Sequence, residues 1–256
     1  MKRSISVGFV FLTLVLATWA SALAQQPAAR GGASAGAPAS GAAQARGGRG
    51  GAPNADAVPW PLVLFREEWK QPSYTGQLND EKRRVTQEAV TNAALELNLY
   101  GADAKNITVY NHETRWDLWS GMATSPIAVT LKLRSSYMDL TGKARMRTIV
   151  RTQALHTLYP VVKLADGTML ASAQGVSTDG AYVQVEAVFA GVRWFKLDPE
   201  KVVTTVEVRS PDLSRVDEVG WVDLAPGGGH GNAGWHNIST IEVLGTAVPR
   251  TTPVSN

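Results

Sequence analysis

The chain has 256 residues, with 25 Lys and Arg against 22 Asp and Glu, and it contains no cysteine. The absence of cysteine excludes disulfides, thiol nucleophiles and cysteine-ligated metals. Five of the basic residues but only one acidic residue lie in the first 57 positions, which leaves 20 basic and 21 acidic residues and a net charge of −1 for the remainder. Because nucleic acids require a concentrated basic surface, we expect no nucleic-acid partner.

The N-terminus has the pattern of a secretory signal peptide, which we assign to residues 1–24. Lys2 and Arg3 precede an apolar run over residues 5–20, and the small residues Ser-Ala-Leu-Ala end at Ala24. The run is shorter than the roughly 20 residues that a membrane-spanning helix needs. We therefore expect cleavage, export to the periplasm or the extracellular space, and no membrane association after the signal is removed.

Residues 25–57 are mostly Ala, Gly and Pro and contain no bulky apolar residue. Such a segment cannot bury enough apolar surface to offset the entropy of ordering, so we predict a disordered linker. The remaining chain is predicted to form one domain over residues 58–248, followed by a flexible tail over 249–256.

The dominant period in this domain is two, which is typical of half-buried antiparallel strands. Alternation recurs over residues 95–101, 127–135, 181–189, 201–208, 219–224 and 238–245. In another such run, Ala144, Met146, Thr148 and Val150 alternate with Lys143, Arg145, Arg147 and Ile149.

Turns and helices complete the prediction of an all-β fold. Turn-forming residues separate the strands at 139–143, 165–168, 177–180 and 210–214. Helix is expected only as a short segment within residues 79–97, with Asn79 or Asp80 as its cap. Many short strands joined by regular turns predict a β-sandwich or barrel.

Two segments carry a resemblance to a known family. "PWPLVLFREEW" at 59–69 and "DEVGWVDLAPGGGHGNAGWHNISTIEVLG" at 217–245 resemble the concanavalin A-like jelly-roll domains of secreted sugar-active proteins, with the 3-keto-disaccharide hydrolases and laminarinase-like enzymes as the nearest group. The resemblance spans residues 59–245 and implies a jelly-roll β-sandwich of antiparallel strands. It also implies a saccharide ligand and a glycoside hydrolase or lyase acting on a small or modified saccharide.

The catalytic pattern of laminarinase-like enzymes, E-x-D-x-x-E on one strand, is absent. The segment 216–224 offers Asp217, Glu218 and Asp223. Glu218 points to the opposite face, and Asp217 and Asp223 are about 20 Å apart if the strand is extended. A retaining pair of carboxylates needs about 5 Å and an inverting pair less than about 10 Å. A laminarinase mechanism is therefore disfavoured, and the alternative is a non-catalytic carbohydrate-binding or surface-interaction module.

If the chain is a hydrolase or lyase, the chemistry of its side chains suggests candidate residues for proton transfer and for saccharide binding. Asp223, His230 or His156 would move the proton. Arginine, lysine, carboxylate and indole groups suit saccharide hydroxyls and rings, and on this basis we predict a binding set of Arg145, Arg147, Lys163, Asp217, Trp221 and Trp235. The alternative is that the charged residues form a solvated sheet face and that the tryptophans, including Trp60 and Trp69, fill the core.

The segment "PGGGHG" at 226–231 contains His230 and lacks the Lys-Ser/Thr of a phosphate-binding loop. We interpret it as a glycine-rich connection between two strands. His230 and His236 are six residues apart, a spacing that does not specify a metal site, so no metal ligand is assigned and no cofactor is expected. A structural Ca²⁺ held by Asp side chains and carbonyls is compatible with the composition.

Overall fold

The computed structural model describes residues 60–112, 114–225 and 234–250. Within these ranges almost all regular structure is antiparallel β-strand, which confirms the predicted all-β fold. No helix in the described part of the chain combines the length and the apolar character needed to cross a bilayer. The predicted signal peptide, the linker and His230 lie outside the described residues and stay predictions.

Two antiparallel sheets form a β-sandwich, and the first of them, sheet A, is organised around the last strand. Its strands are β1 (Leu62–Glu67), β3 (Thr108–His112), β4 (Arg115–Trp119), β7 (Arg145–Gln153), β10 (Val183–Val188) and β14 (Trp235–Pro249). β14 pairs with β7 along one side and with β1 and β4 along the other. β10 extends the sheet beyond β7, and β3 extends it beyond β4.

The second sheet, sheet B, contains the remaining strands. They are β2 (Leu95–Tyr100), β5 (Ile127–Leu133), β6 (Ser136–Asp139), β8 (Leu158–Leu164), β9 (Met169–Ser172), β11 (Trp194–Asp198), β12 (Val203–Val208) and β13 (Val216–Asp223). Seven of them follow the order β2–β5–β13–β8–β9–β11–β12. β6 pairs both with β13 and with residues 246–249 of β14, so β14 belongs to both sheets.

The alternation predicted along β7 is confirmed. Met146, Thr148 and Val150 are buried between the sheets, whereas Arg145 and Arg147 are only partly buried. The even-numbered residues of β7 therefore face the core and the odd-numbered ones face outward, as expected for a strand with one wet face.

Helical structure is as scarce as predicted, and the turn expected at 165–168 is present. The region 79–97 contains only two 3₁₀ turns, Asp80–Arg83 and Gln87–Ala89, and a third turn follows at Ala104–Asn106. Asn79 caps the first turn by accepting a hydrogen bond from the Lys82 amide at 3.0 Å. At the predicted turn 165–168, Gly167 has a φ of 87°, a conformation that favours glycine.

The core between the sheets is centred on Trp221. This side chain is 1% exposed, packs within the main hydrophobic cluster, and its Nε1 donates to Thr148 Oγ1 at 3.0 Å, which joins β13 of sheet B to β7 of sheet A. Trp69 is also buried, as predicted. The prediction that Trp60 fills the core is wrong: its ring is 69% exposed, beneath the Lys143 ammonium and the Arg145 guanidinium.

A β-bulge in β14 changes which residues face the core. The pairing with β7 shifts register between Ile238 and Thr240, which inserts Ser239 as an extra residue. Before the bulge His236 and Ile238 point into the sandwich, and after it the odd-numbered Ile241 and Val243 take the core positions.

The contrast between Trp221 and Trp60 gives a test of the core. Trp221→Ala should lower the free energy of unfolding by about 3–5 kcal/mol, because it removes a fully buried ring and leaves a cavity. The matched change Trp60→Ala should lower it by less than about 1 kcal/mol, since only exposed cation–π contacts are lost. Urea unfolding of both variants measures the difference, and equal losses would contradict this assignment of the core.

Candidate functional site

A buried cluster of polar side chains closes one end of the sandwich. Asp223, the last residue of β13, accepts hydrogen bonds at Oδ2 from His156 Nδ1 at 2.5 Å and from His236 Nδ1 at 2.8 Å. Its Oδ1 accepts from the Ala225 amide at 3.0 Å, and all three ionisable side chains are almost fully buried. Because a carboxylate only accepts, both imidazoles carry a hydrogen on Nδ1.

These contacts set the charge of Asp223. Burial acts to raise the pKa of its carboxyl, but the hydrogen bonds from His156 and His236 outweigh burial and hold the pKa well below the usual range. The structure therefore brings together two of the three residues that the sequence suggested for proton transfer. Their catalytic role stays a prediction.

The same three residues could in principle hold a metal ion, since their ligand atoms lie within 4.8 Å of one another. Donors about 2.0–2.1 Å from a tetrahedral Zn²⁺ would lie more than 3 Å from each other. Here both Nδ1 atoms lie within 2.8 Å of one carboxylate oxygen. The distances fit a hydrogen-bonded network and do not fit three ligands arranged around an ion.

Gly234 connects this cluster to the start of β14. Its φ is 81°, and a Cβ at this position would lie 2.6 Å from His156 Cδ2 and 2.5 Å from the Gln153 carbonyl oxygen. Only glycine fits both the backbone conformation and the space, so Gly234 fixes how Trp235 enters the sheet.

A groove on the outer face of sheet A, which we call the aromatic groove, is the second feature. It has a volume of about 230 Å³. Its walls are formed chiefly by Tyr110, His112, Trp119, Arg151, Trp235 and Asn237. The Tyr110 and Trp119 rings meet edge to face, with centroids 5.1 Å apart.

Alternation along β14 places the groove and the buried cluster on opposite faces of one strand. Trp235 and Asn237 line the groove, whereas His236 and Ile238 point into the sandwich. Arg151 reaches the groove from β7, two residues beyond the outward-facing Ile149.

Arg151 is held in the groove by several contacts. Its Nε donates to the Gly180 carbonyl at 2.8 Å, and its Nη1 lies 3.2 Å from His112 Nε2. The guanidinium carbon also lies 4.6 Å from the centroid of the Trp235 ring and 5.4 Å from that of Tyr182. Because a guanidinium only donates, His112 Nε2 is the acceptor and the proton of a neutral imidazole sits on Nδ1.

Asp117 is fully buried, and its carboxylate holds the side-chain amide of Asn237 in place. Its Oδ2 accepts from Asn237 Nδ2 at 3.3 Å and from the Tyr182 hydroxyl. Burial raises the pKa of Asp117 above its ordinary value, although the hydrogen bond from Tyr182 acts in the opposite direction. Burial and the Asp117 carboxylate together raise the pKa of Tyr182.

The predicted binding residues on the strands do not converge on one cleft. Arg145 and Arg147 lie on the outer face of sheet A, where both donate to Glu186, at 2.9 and 2.8 Å, and Arg147 also contacts Glu242. This ladder of ion pairs is the solvated sheet face that the sequence analysis kept as the alternative.

Three further predicted residues lie elsewhere. Lys163, on β8, donates to the buried carboxylate of Glu218 at 2.9 Å. Asp217 pairs with Lys132 and with Arg250, which follows the last residue of β14. Trp221 is in the core, so it does not provide the surface platform that the sequence predicted.

Glu218 organises a polar network in sheet B. Its carboxylate accepts from Thr130 Oγ1 at 2.5 Å and from the Tyr100 hydroxyl at 2.8 Å, in addition to Lys163. Burial and the neighbouring carboxylate raise the pKa of Tyr100 to about 12. The position of Lys163 is therefore explained by an internal ion pair.

Of the predicted binding residues, only Trp235 lines the aromatic groove. The other groove residues, Tyr110, His112, Trp119, Arg151 and Asn237, were not among the predicted site residues. The signal for Arg151 was available, because continuing the alternation of residues 143–150 by one residue reaches it. No comparable pattern in the sequence indicates that β4 lies beside β14 or that β3 lies beside β4.

The comparisons with known proteins are distant. No family model and no curated protein matches the chain. Among solved structures it is similar to the family 11 carbohydrate-binding module of a cellulosomal cellulase from Clostridium thermocellum, with 11% identity, a TM-score of 0.36 and coverage of 63% of this chain and 88% of that one. An exo-beta-agarase gives 12% identity, a TM-score of 0.35 and coverage of 65% and 24%. Similarity at this level does not identify a site or a function.

The buried cluster makes a prediction about pH. Because the folded pKa of Asp223 is lowered, its charge stabilises the fold above the ordinary carboxyl pKa of about 4, and this stabilisation is lost as the pH falls below that value. Asp223→Asn should lower the free energy of unfolding by about 3 kcal/mol at pH 7, because it breaks a buried charged network. The deficit relative to wild type should be smaller at pH 3.

Urea unfolding at pH 7 and pH 3 measures this effect. Asp166→Asn is the control, since Asp166 is an exposed carboxylate in a turn, and it should change stability little at either pH. An Asp223→Asn deficit of the same size at both pH values would contradict the assignment.

Proposed function

We propose that the domain binds a saccharide in the aromatic groove and does not transform it. The observation that carries this proposal is the convergence of the Trp235, Trp119 and Tyr110 rings with the Asn237 amide and the Arg151 guanidinium. Sugar rings present C–H faces that pack on aromatic rings, and their hydroxyls pair with amide and guanidinium groups. The groove is lined by both kinds of partner, of which Trp119 and Asn237 are largely buried, at 7% and 4% exposure.

The size of the groove limits what it holds. Its volume of about 230 Å³ is below the roughly 300–1,000 Å³ typical of sites for drug-sized ligands. One sugar ring fits such a space, and further rings of a longer chain would lie along the surface of sheet A.

The absence of an accessible carboxylate pair favours binding over hydrolysis. Glycoside hydrolysis generally uses two carboxyl groups that flank the scissile bond. None of the described residues that line the groove is acidic, and the nearby Asp117 is fully buried and hydrogen-bonded to Tyr182 and Asn237. Together with the predicted signal peptide, this supports a saccharide-binding domain that acts outside the cytoplasm.

A second candidate is a glycoside hydrolase or lyase of the 3-keto-disaccharide hydrolase type. The observation that favours it is the contact of His156 with Asp223, which joins two residues predicted to transfer protons. We rank it second because neither His156 nor Asp223 lines the aromatic groove.

The binding proposal predicts the effect of Trp235→Ala. Removing a stacked aromatic anchor should weaken binding at least about tenfold, whereas the control Trp60→Ala, at an exposed ring outside the groove, should leave binding unchanged. A glycan array identifies a ligand, and isothermal titration calorimetry then compares the three proteins. Unaltered affinity in Trp235→Ala would place the binding site elsewhere.

The two candidates are separated by an activity test. We expect no turnover when the purified protein is incubated with 3-keto-glycosides or with neutral β-glucans. Product formed by the wild type and lost in Asp223→Asn, with folding intact, would establish the second candidate in place of the first.

A further inference from the structure

Arg151 differs from the other arginines of its strand in having no acidic partner. Arg145 and Arg147 both pair with Glu186 on the outer face of sheet A. Arg151 lies on the same face of the same strand, yet among the described residues no carboxylate comes within ion-pair distance of it. Its positive charge is therefore uncompensated by any described contact in the aromatic groove.

The contacts of Arg151 hold its guanidinium plane in place. Nε is anchored on the Gly180 carbonyl and Nη1 on His112, while the plane lies near the Trp235 and Tyr182 rings. None of these partners carries a negative charge, and the Tyr182 hydroxyl also interacts with the guanidinium. An arginine ordered in this way is prepared to pair with a planar or tetrahedral anion.

A second arginine adds to the positive potential beside the groove. The guanidinium carbon of Arg115 lies 5.5 Å from the centroid of the Tyr182 ring, on which Arg151 also stacks, and no described acidic side chain forms an ion pair with it. Three described acidic groups lie nearby, and none forms a described ion pair with Arg151. Asp117 is buried with a raised pKa, Asp80 accepts a hydrogen bond from the Tyr110 hydroxyl, and Glu68 pairs with Arg66.

We propose that the aromatic groove selects a saccharide that carries an anionic substituent, either a carboxylate, as in a hexuronic acid, or a sulfate ester. The sugar ring packs against Trp235, and its anionic group pairs with the guanidinium of Arg151. This inference rests on the proposed saccharide-binding function and adds the class of ligand to it.

Matched pairs of glycans test the proposal on the full chain. Calorimetry would compare oligogalacturonides with their methyl esters, and a sulfated galactan with its desulfated form. The anionic member of at least one pair should bind about tenfold or more tightly, as expected for a charge-assisted hydrogen bond, and its affinity should fall as salt is added. The pair that shows the preference identifies the anion as carboxylate or sulfate.

Three variants locate the effect. Arg151→Gln should reduce the affinity for the anionic glycan to that for its neutral partner, and Arg151→Lys should give an intermediate affinity because it keeps the charge but loses the planar fork. Arg147→Gln is the matched control and should change neither affinity. Thermal unfolding establishes that each variant is folded.

The outcomes separate the two proposals. Equal affinities within both pairs, or an anionic preference that survives in folded Arg151→Gln, would overturn the anionic-saccharide proposal. If the anionic-saccharide proposal fails in this way but neutral glycans bind and Trp235→Ala abolishes that binding, the proposed saccharide-binding function still stands. If no glycan binds the folded wild type, both proposals fall.

Discussion

The backbone pairing of β14 is the constraint on which the rest of the structure depends. This strand, Trp235–Pro249, bonds to β7 on one side, to β1 and β4 on the other, and to β6 of the second sheet at its end. Because every strand of sheet A takes its position directly or through a neighbour from β14, the groove and the buried cluster inherit their geometry from it. Trp235 and Asn237 face outward, and His236 faces Asp223.

The two features at the start of β14 have different chemistry because they lie on opposite faces. Inside, Asp223 is surrounded by donors from His156, His236 and the Ala225 amide, so the buried charge is stabilised by hydrogen bonds. Outside, the Arg151 guanidinium is ordered by neutral partners and keeps its charge available. The first arrangement is internally satisfied, whereas the second is suited to a ligand.

Much of the fold could be predicted from the sequence because alternation and turn chemistry are local. The faces of β7, the turn at Gly167 and the cap at Asn79 all follow from residues close together in the chain. Trp221 was harder to assign, because an indole on an alternating strand packs equally well on either face. The hydrogen-bond partner of its indole, Thr148, is 73 residues away in the chain.

The groove could not be predicted in the same way because it is assembled from β3, β4, β7 and β14, and pairing between distant strands leaves little trace in a single sequence. Trp235 was predicted from the chemistry of its indole, while Arg151 lies one residue beyond the alternating run of residues 143–150. Lys163 and Asp217 were chosen for their charge, yet each has an internal partner, Glu218 and Arg250 respectively. Charge type alone does not distinguish a ligand-binding residue from a structural ion pair.

The bulge at Ser239 has a consequence for how this protein tolerates changes in length. Strict alternation counted back from Ile241 would turn Asn237 and Trp235 inward and His236 outward, so the single extra residue sets the facing of everything before it. Deleting Ser239 would remove the bulge and leave a regular ladder in which Ile238 pairs with Val150 and Thr240 with Ile149, so the groove and the buried cluster would keep their faces. Inserting one residue between Asn237 and Ser239 would instead turn Trp235 and Asn237 inward and His236 outward, and would therefore alter both sites together.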